Sequence, residues 1–266
     1  MKALGVEVDR FRAWYPTAGG PRMAVENLTL EVRRGEFVAL IGPSGCGKST
    51  LLRALAGLHP KGCSEGTLHI GGATVDDVRR NREIAFMFQR PALLPWRTLR
   101  ENVRIPLQTA NVRRPAIDPE EMLEMVGLAD YADALPRECS GGMQQRAAIA
   151  RSLILAPSLL LMDEPFGALD EMTRERLNRV LLQIWEKSSC TVLFVTHSLE
   201  EAVFLADRVV VLSERPARLK GTVPITLPRD RDPEIRRTAE FLALENEIRD
   251  LLYHRDSPDY IAREVS

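Results

Sequence analysis

The sequence predicts an α/β fold, a mainly parallel sheet flanked by helices, with an inserted helical segment and a short C-terminal tail. Three observations carry that expectation. Short runs rich in Val, Leu, Ile and Phe, at 37–41, 159–162, 191–195 and 208–212, are apolar without alternation, as strands buried on both faces are. Helical patterns separate these runs, and from about Pro91 to Pro157 the strand signal disappears. The chain is also rich enough in apolar residues, 45% of 266, to bury a sizeable core in one or two domains.

Charge and cysteine usage exclude several functions. Lys plus Arg number 36 against 37 Asp plus Glu, a net charge of −1, so the overall basic footprint of a nucleic-acid binder is missing and no nucleic-acid partner is expected. Cys46, Cys63, Cys139 and Cys190 form no CxxC pair, which fits neither a disulfide framework nor a zinc site and suits a reducing compartment. The first residues, MKALGVEVDRF, reach Glu7 and Asp9 before any apolar run, unlike a secretory signal. The longest apolar stretch, 153–162, is broken by Pro157 and falls short of the roughly 18 to 20 residues that a bilayer core requires.

Taken in order, the first strand, Phe37 to Ile41, runs into Gly42-Pro43-Ser44-Gly45-Cys46-Gly47-Lys48-Ser49, followed by a helix-like run from Thr50 to Leu58. This matches G-x-x-x-x-G-K-[ST] in the strand-to-helix setting that a phosphate-binding loop needs. Glycines let the backbone aim successive N–H groups at phosphate oxygens, and the helix N-terminus adds its positive end. Lys48 brings a full charge for β and γ phosphates, and the Ser49 hydroxyl is a candidate Mg²⁺ ligand.

In the helical insertion, Asp118, Pro119 and Glu121 announce a helix start and Gly127 a stop. The strand at 159–162 ends in Asp163 and Glu164, where an α/β sheet places ligands; Asp163 would reach Mg²⁺ through water and Glu164 would face the attacking water. Alone, such a pair also reads as a helix cap or a solvated turn. Leu177, Val180, Leu181 and Ile184 share one helical face. Ser198 with Glu201 reads as a capping box directly after the strand Thr191 to Val195. Beyond Leu212, residues 215–266 hold ten basic and ten acidic residues and a helical pattern at Phe241, Leu242, Ile248, Leu251 and Leu252, which reads as a tail packing its apolar face on the core.

Between loop and carboxylates stands Cys139-Ser140-Gly141-Gly142-Met143-Gln144-Gln145-Arg146. With the phosphate loop, Gln89, Asp163-Glu164, Ala168-Leu169-Asp170 and His197, it resembles the motif series of ATP-binding cassette (ABC) ATPases, and most closely the ATP-binding subunit of an ABC transporter. The resemblance implies a P-loop NTPase core of RecA-like type with an antiparallel β edge. It divides the chain into an ABC ATPase domain at 1–214, with core at 1–90 and 157–214 and helical insertion at 91–156, and a C-terminal helical tail at 215–266. ATP and Mg²⁺ are the implied cofactors. Residues 42–50, that is Gly42, Pro43, Ser44, Gly45, Cys46, Gly47, Lys48, Ser49 and Thr50, would hold the nucleotide, with Ser49, Gln89 and Asp163 at the metal.

Glu164, His197 and Gln89 carry the implied catalytic roles: activating water, holding the γ-phosphate, and contacting both Mg²⁺ and the water. Tyr15 is the preferred adenine-stacking aromatic, with Trp14 as competitor, and Asp170 resembles the aspartate that faces the opposite subunit. Ser140, Gly141 and Gly142 open a helix expected from Met143 to Leu155, a second phosphate surface. Since the insertion projects away from the loop, the two surfaces are expected to meet across a two-fold axis in a homodimer. Two departures from the family pattern are Cys139, where Leu is usual, and Met143, where Gln is commonest.

The stretch Gln89-Arg-Pro-Ala-Leu93-Leu94-Pro95-Trp96 resembles the nitrate, sulfonate and taurine group of bacterial importers. It implies import of a small solute through two separate integral membrane permease subunits, with an extracytoplasmic solute-binding protein as indirect partner. The chain would then be peripheral, at the cytoplasmic face of the inner membrane. Leu93, Leu94 and Trp96 would form a socket for the permease. The competing reading is a non-transport ABC ATPase acting on nucleic acid or ribosomes.

Overall fold

The computed structural model describes residues 3–110, 117–167, 169–188 and 190–253. In chain order the elements are β1 (Val6–Thr17), β2 (Gly20–Val32), β3 (Phe37–Ile41), α1 (Lys48–Leu55), β4 (Ser64–Ile70), β5 (Ala73–Thr74), α2 (Val75–Arg80) and β6 (Ile84–Met87). Then come α3 (Leu99–Thr109), α4 (Pro119–Met125), α5 (Gly141–Leu153), β7 (Leu159–Asp163), α6 (Glu171–Ser188), β8 (Thr191–Val195), α7 (Leu199–Leu205), β9 (Arg208–Leu212), β10 (Leu219–Pro224) and α8 (Ala239–Tyr253). No described helix is long and apolar enough to cross a membrane.

Two sheets form. The larger has the order β10-β9-β3-β8-β7-β6, parallel from β9 to β6 and antiparallel at β10. Its central strands alternate between two cores. Phe37, Ala39 and Ile41 of β3 enter a core shared with α3 through α8, whereas Val38 and Leu40 enter one shared with α1 and the second sheet. That two-sided burial is why these strands read as unbroken apolar runs.

The second sheet, β2-β1-β4-β5, is antiparallel throughout. It is a sheet of its own, which enlarges the expected antiparallel edge. One face is buried, so Val6, Val8, Phe11 and Ala13 point inward. Register shifts between Val8 and Phe11, where Arg10 takes φ +45°, break the period-two pattern, which hides the strand from a simple alternation reading.

The tail departs from a purely helical reading, because it opens with β10, which pairs with β9 from Leu219 to Pro224. In α8 the buried face is Phe241, Leu244, Ile248 and Leu251, while Leu242 is exposed. Residues 254–266 of the tail, and 111–116 of the insertion, lie outside the described residues. Asp118 caps α4 with Pro119 at its first position, and Gly127 takes φ +66° just beyond its end. Ser198 caps α7 by accepting from the Glu201 N–H, but the Glu201 carboxylate accepts from Thr196 Oγ1 rather than completing a capping box. Burial pushes the Glu201 carboxyl above its ordinary range.

Arg231 ties the tail to the core. The residue is 5% exposed, and its guanidinium donates to the carbonyls of Val203 (2.9 Å), Phe204 (2.7 Å) and Ala206 (3.0 Å) at the end of α7, while Nε donates to Pro228 O (2.8 Å). Burial lowers its pKa to about 10, so it remains charged at neutral pH. The helix C-terminus presents partial negative charge and carbonyls without intrahelical partners, and one cation satisfies several of them. Arg231→Met keeps much of the apolar stem and strands these acceptors. It is expected to cost about 3 kcal/mol in urea unfolding, and a loss below about 1 kcal/mol would show that water replaces the guanidinium.

Candidate functional site

Residues 42–47 link β3 to α1 and form the floor of the site. Two glycines are required by close approach. A Cβ at Gly47, which takes φ +133°, would lie 2.4 Å from Ala24 O, and one at Gly42 would lie 3.0 Å from both Leu212 O and Cys46 Sγ. Gly47 also stands as the N-cap of α1 without a side-chain oxygen, so the first N–H groups of that helix have no side-chain cap. Lys48 is 5% exposed, and its Nζ donates to Gly42 O (2.7 Å) and Pro43 O (2.9 Å), folding the cation over the loop.

Above the loop, the Ser49 hydroxyl donates to Asp163 Oδ1 at 2.7 Å. Burial pushes the Asp163 carboxyl above its ordinary range, and the Ser49 bond works against that shift. Glu164 begins where β7 ends. Its N–H donates to Val195 O (3.0 Å), and its φ of +48° turns the chain sharply away from the sheet. Gln89 Nε2 donates to Glu164 Oε2 (3.0 Å), and His197 Nδ1 lies 3.8 Å from the same oxygen. Residues 75 positions before and 33 positions after Glu164 therefore meet on one carboxylate oxygen.

Tyr15, Ala24 and Arg215 face residues 45–50 and Glu164 across an open cavity. Tyr15 Oη is 3.4 Å from Thr50 Oγ1, and its ring meets His59 edge-on with centroids 5.1 Å apart. Trp14, the competing aromatic, is not part of that lining. Ser140, Gly141 and Gly142 stand apart from it as well. Ser140 caps α5, its Oγ accepting from the Met143 N–H (3.2 Å), and it is exposed together with Gly141. The helix thus starts two residues earlier than Met143, at Gly141.

Asp170 is exposed and accepts from the Thr173 N–H (3.0 Å), which holds its carboxyl below the ordinary range. Ala168 lies outside the described residues. Cys139 donates its thiol to Leu135 O (3.4 Å), and burial, then Glu138, pushes its pKa up. Two cavity residues escape a sequence reading: Ala24, whose carbonyl abuts Gly47, and Arg215, whose Nε donates to Met23 O (2.8 Å). Arg215 follows the last parallel strand in an unpatterned turn, so no spacing links it to the loop.

A glycine-rich loop feeding a helix N-terminus, a hydroxyl on a buried aspartate, and a carboxylate met by an amide and an imidazole define a P-loop ATPase of the cassette class. The ABC transporter family model matches residues 25–167. The chain belongs to that family. It is 43% identical over 255 residues to the bicarbonate transport ATP-binding protein CmpD of Synechocystis, covering 93% of this chain and 89% of that protein. It is 42% identical over 248 residues to the nitrate import ATP-binding protein NrtD of the same organism, covering 90% and 92%. Among solved structures, the dimeric post-hydrolysis state of the ATP-binding cassette MJ0796 bound to ADP and Pi superposes with a TM-score of 0.73. That structure is 31% identical and covers 84% of this chain and 100% of its own.

The positive φ at Glu164 carries a cost that a structural residue would not need to bear. Glu164→Gly removes the Cβ that makes this conformation unfavourable, and it is expected to stabilise the fold by about 1 kcal/mol, raising the thermal midpoint by about 2 °C. A lowered midpoint would mean that the contacts with Gln89 and His197 outweigh the backbone strain.

Proposed function

We propose that this chain is the ATP-hydrolysing subunit of an importer for a small anion, nitrate or bicarbonate being the solutes named for its relatives. The observation that carries the catalytic part is the convergence of Gln89 and His197 on Glu164 Oε2 at the mouth of the phosphate loop. In this reading Glu164 accepts the proton of the attacking water or orients it, while Gln89 fixes the carboxylate that does so. Lys48 and the N–H groups opening α1 bind the β and γ phosphates, and His197 holds the γ-phosphate. Tyr15 stacks on the adenine.

The residues present fit Mg²⁺. A serine hydroxyl and a carboxylate lie 2.7 Å apart beside the loop, hard oxygen donors of the type this ion selects, and the Gln89 amide stands next to them through Glu164. When bound, the ion neutralises charge on the β and γ phosphates. Ser49 and Asp163 would hold it, with Gln89. The burial that raises the Asp163 carboxyl is the setting in which a nearby cation is most stabilising.

Ser140, Gly141 and Gly142 form a second phosphate surface that serves the site of another copy, giving a homodimer with two nucleotides between its halves, and Asp170 faces that partner. The permease contact is built from the loop after Gln89. Asn102 is fully buried and clamps that loop, its Nδ2 donating to the carbonyls of Leu94, Arg97 and Thr98 and its Oδ1 accepting from the Leu94 N–H. Arg151 donates to Pro91 O and Ala92 O. On this fixed frame Trp96 is 71% exposed, which suits an aromatic anchor for an apolar partner segment. The membrane subunits, the extracytoplasmic binding protein and a location at the cytoplasmic face of the cell membrane follow from that role.

Glu164→Gln keeps the shape of the side chain and removes the proton acceptor. It is expected to leave ATP affinity within about twofold and to lower kcat at least about a hundredfold, with closed dimers accumulating in size-exclusion chromatography with ATP. Near-normal turnover would remove Glu164 from the mechanism. In proteoliposomes containing the permease, Trp96→Ala is expected to cut transport by about tenfold while the ATPase activity of the isolated subunit changes less than about twofold. The reverse pattern would count against docking at this loop.

A further inference from the structure

Gln145 occupies an unusual place for a polar residue. It is 1% exposed within the core facing α5, and its Nε2 donates to Pro165 O (2.6 Å) and approaches Gln89 O (3.5 Å). The opposite amide orientation would set its oxygen against two carbonyls, so the donor assignment follows from chemistry. Its Oε1 is buried with no partner among the described residues. A half-satisfied amide in a core position costs stability, and Leu or Met would fill the same volume without that cost.

The two carbonyls it meets belong to a residue of the catalytic pair and to the neighbour of the other. Gln89 gives its carbonyl to Gln145 and its side chain to Glu164; Pro165 directly follows Glu164. The contacts close a ring from Gln145 through Gln89 and Glu164 to Pro165 and back. Five residues before Gln145 on the same rigid helix stands Ser140, the N-cap of α5.

We propose that Gln145 is a positioning residue of the ATPase: it fixes the backbone of Gln89 relative to that of Glu164, so that the amide of Gln89 addresses Glu164 Oε2. It touches neither nucleotide nor water and acts through Gln89. The inference rests on the ATPase reading above. A buried amide between two loops sets their separation more narrowly than apolar packing does, and sub-ångström misplacement of a catalytic group lowers the chemical step more than substrate binding.

The test uses the full chain and measures kcat, KM and ATP affinity for wild type, Gln145→Met, Gln89→Ala and the double variant, with urea unfolding as a control for folding. Gln145→Met is expected to lower kcat about tenfold with ATP affinity within about twofold, and to add no further loss in the Gln89→Ala background. An unchanged kcat, a parallel loss of affinity, or a loss that multiplies fully with that of Gln89→Ala would overturn the proposal.

Gln145→Glu provides a second readout. A carboxylate there has no N–H to donate and repels both carbonyls, so at neutral pH it is expected to lower kcat at least as far as Gln145→Met does, with ATP affinity within about twofold. A kcat equal to that of wild type would count against the donor role. Wild-type protein without ATPase activity would defeat the ATPase reading itself, and is thereby distinguished from an active enzyme indifferent to Gln145.

Discussion

The register of three parallel strands sets where the phosphate loop, the paired carboxylates and His197 can stand. Val38 pairs with Leu193 and Leu40 with Val195, while Asp163 also pairs with Val195, so β3, β7 and β8 run out at one level of the sheet. The residues that follow each strand, Gly42, Glu164 and Thr196, must therefore emerge along one edge, which brings the loop, the carboxylates and His197 together from points far apart in the chain. A slip in any of these ladders would move a strand's side chains to the opposite core, exchanging Phe37 with Val38 or Phe194 with Val195. Two hydrophobic cores on either side of the sheet thus defend the geometry of a polar site that neither core contains.

The site itself is a collection of costs. A buried lysine folded onto carbonyls, a buried aspartate whose ionisation burial opposes, a glutamate in the left-handed region and a half-satisfied glutamine whose amide reaches Pro165 O gather at the same edge of the sheet. None of these is the choice that stability alone would make. Their concentration at one sheet edge, while β3 and the rest of β7 are wholly apolar, separates what the fold requires from what the chemistry requires.

How much was legible in the sequence followed from how the physical signals arise. Phe37–Ile41 and Thr191–Val195 are buried on both faces, so their runs are continuous and their limits appear unaltered in the structure. β1 is buried on one face and bulged at Arg10, and β6 has only four residues, so neither produces a period long enough to recognise. The loop 42–49 was legible because phosphate chemistry fixes its spacing, whereas Arg215 and Ala24 come to the cavity through tertiary packing alone. For Gln145 the motif was visible but the burial was not, and burial is what gives its amide significance. Leu242 and Leu244 exchanged roles in α8 because a helix of this length offers two nearly equivalent apolar stripes, and only the contact with α7, β9 and β10 selects one.

The path from the exposed start of α5 to Glu164 is short and has few soft joints. Ser140 and Gly141 lie at the solvent-exposed first turn, Gln145 lies on the next turn facing inward, and its amide reaches the carbonyls of Gln89 and of Pro165, which follows Glu164. α5 also carries Arg146, which donates to Val126 O and Gly127 O at the end of α4, and Arg151, which holds the loop leading to Trp96. One helix therefore connects the exposed turn at Ser140, the end of α4, the loop leading to Trp96 and the backbone around Glu164. A shift of α5 as a rigid body would be felt at all four places at once, because Gln145, Arg146 and Arg151 add direct hydrogen bonds to the apolar packing of the helix. A ligand that binds the two positions of such an element with different affinity biases the whole set, which is the thermodynamic requirement for nucleotide state and partner engagement to be coupled.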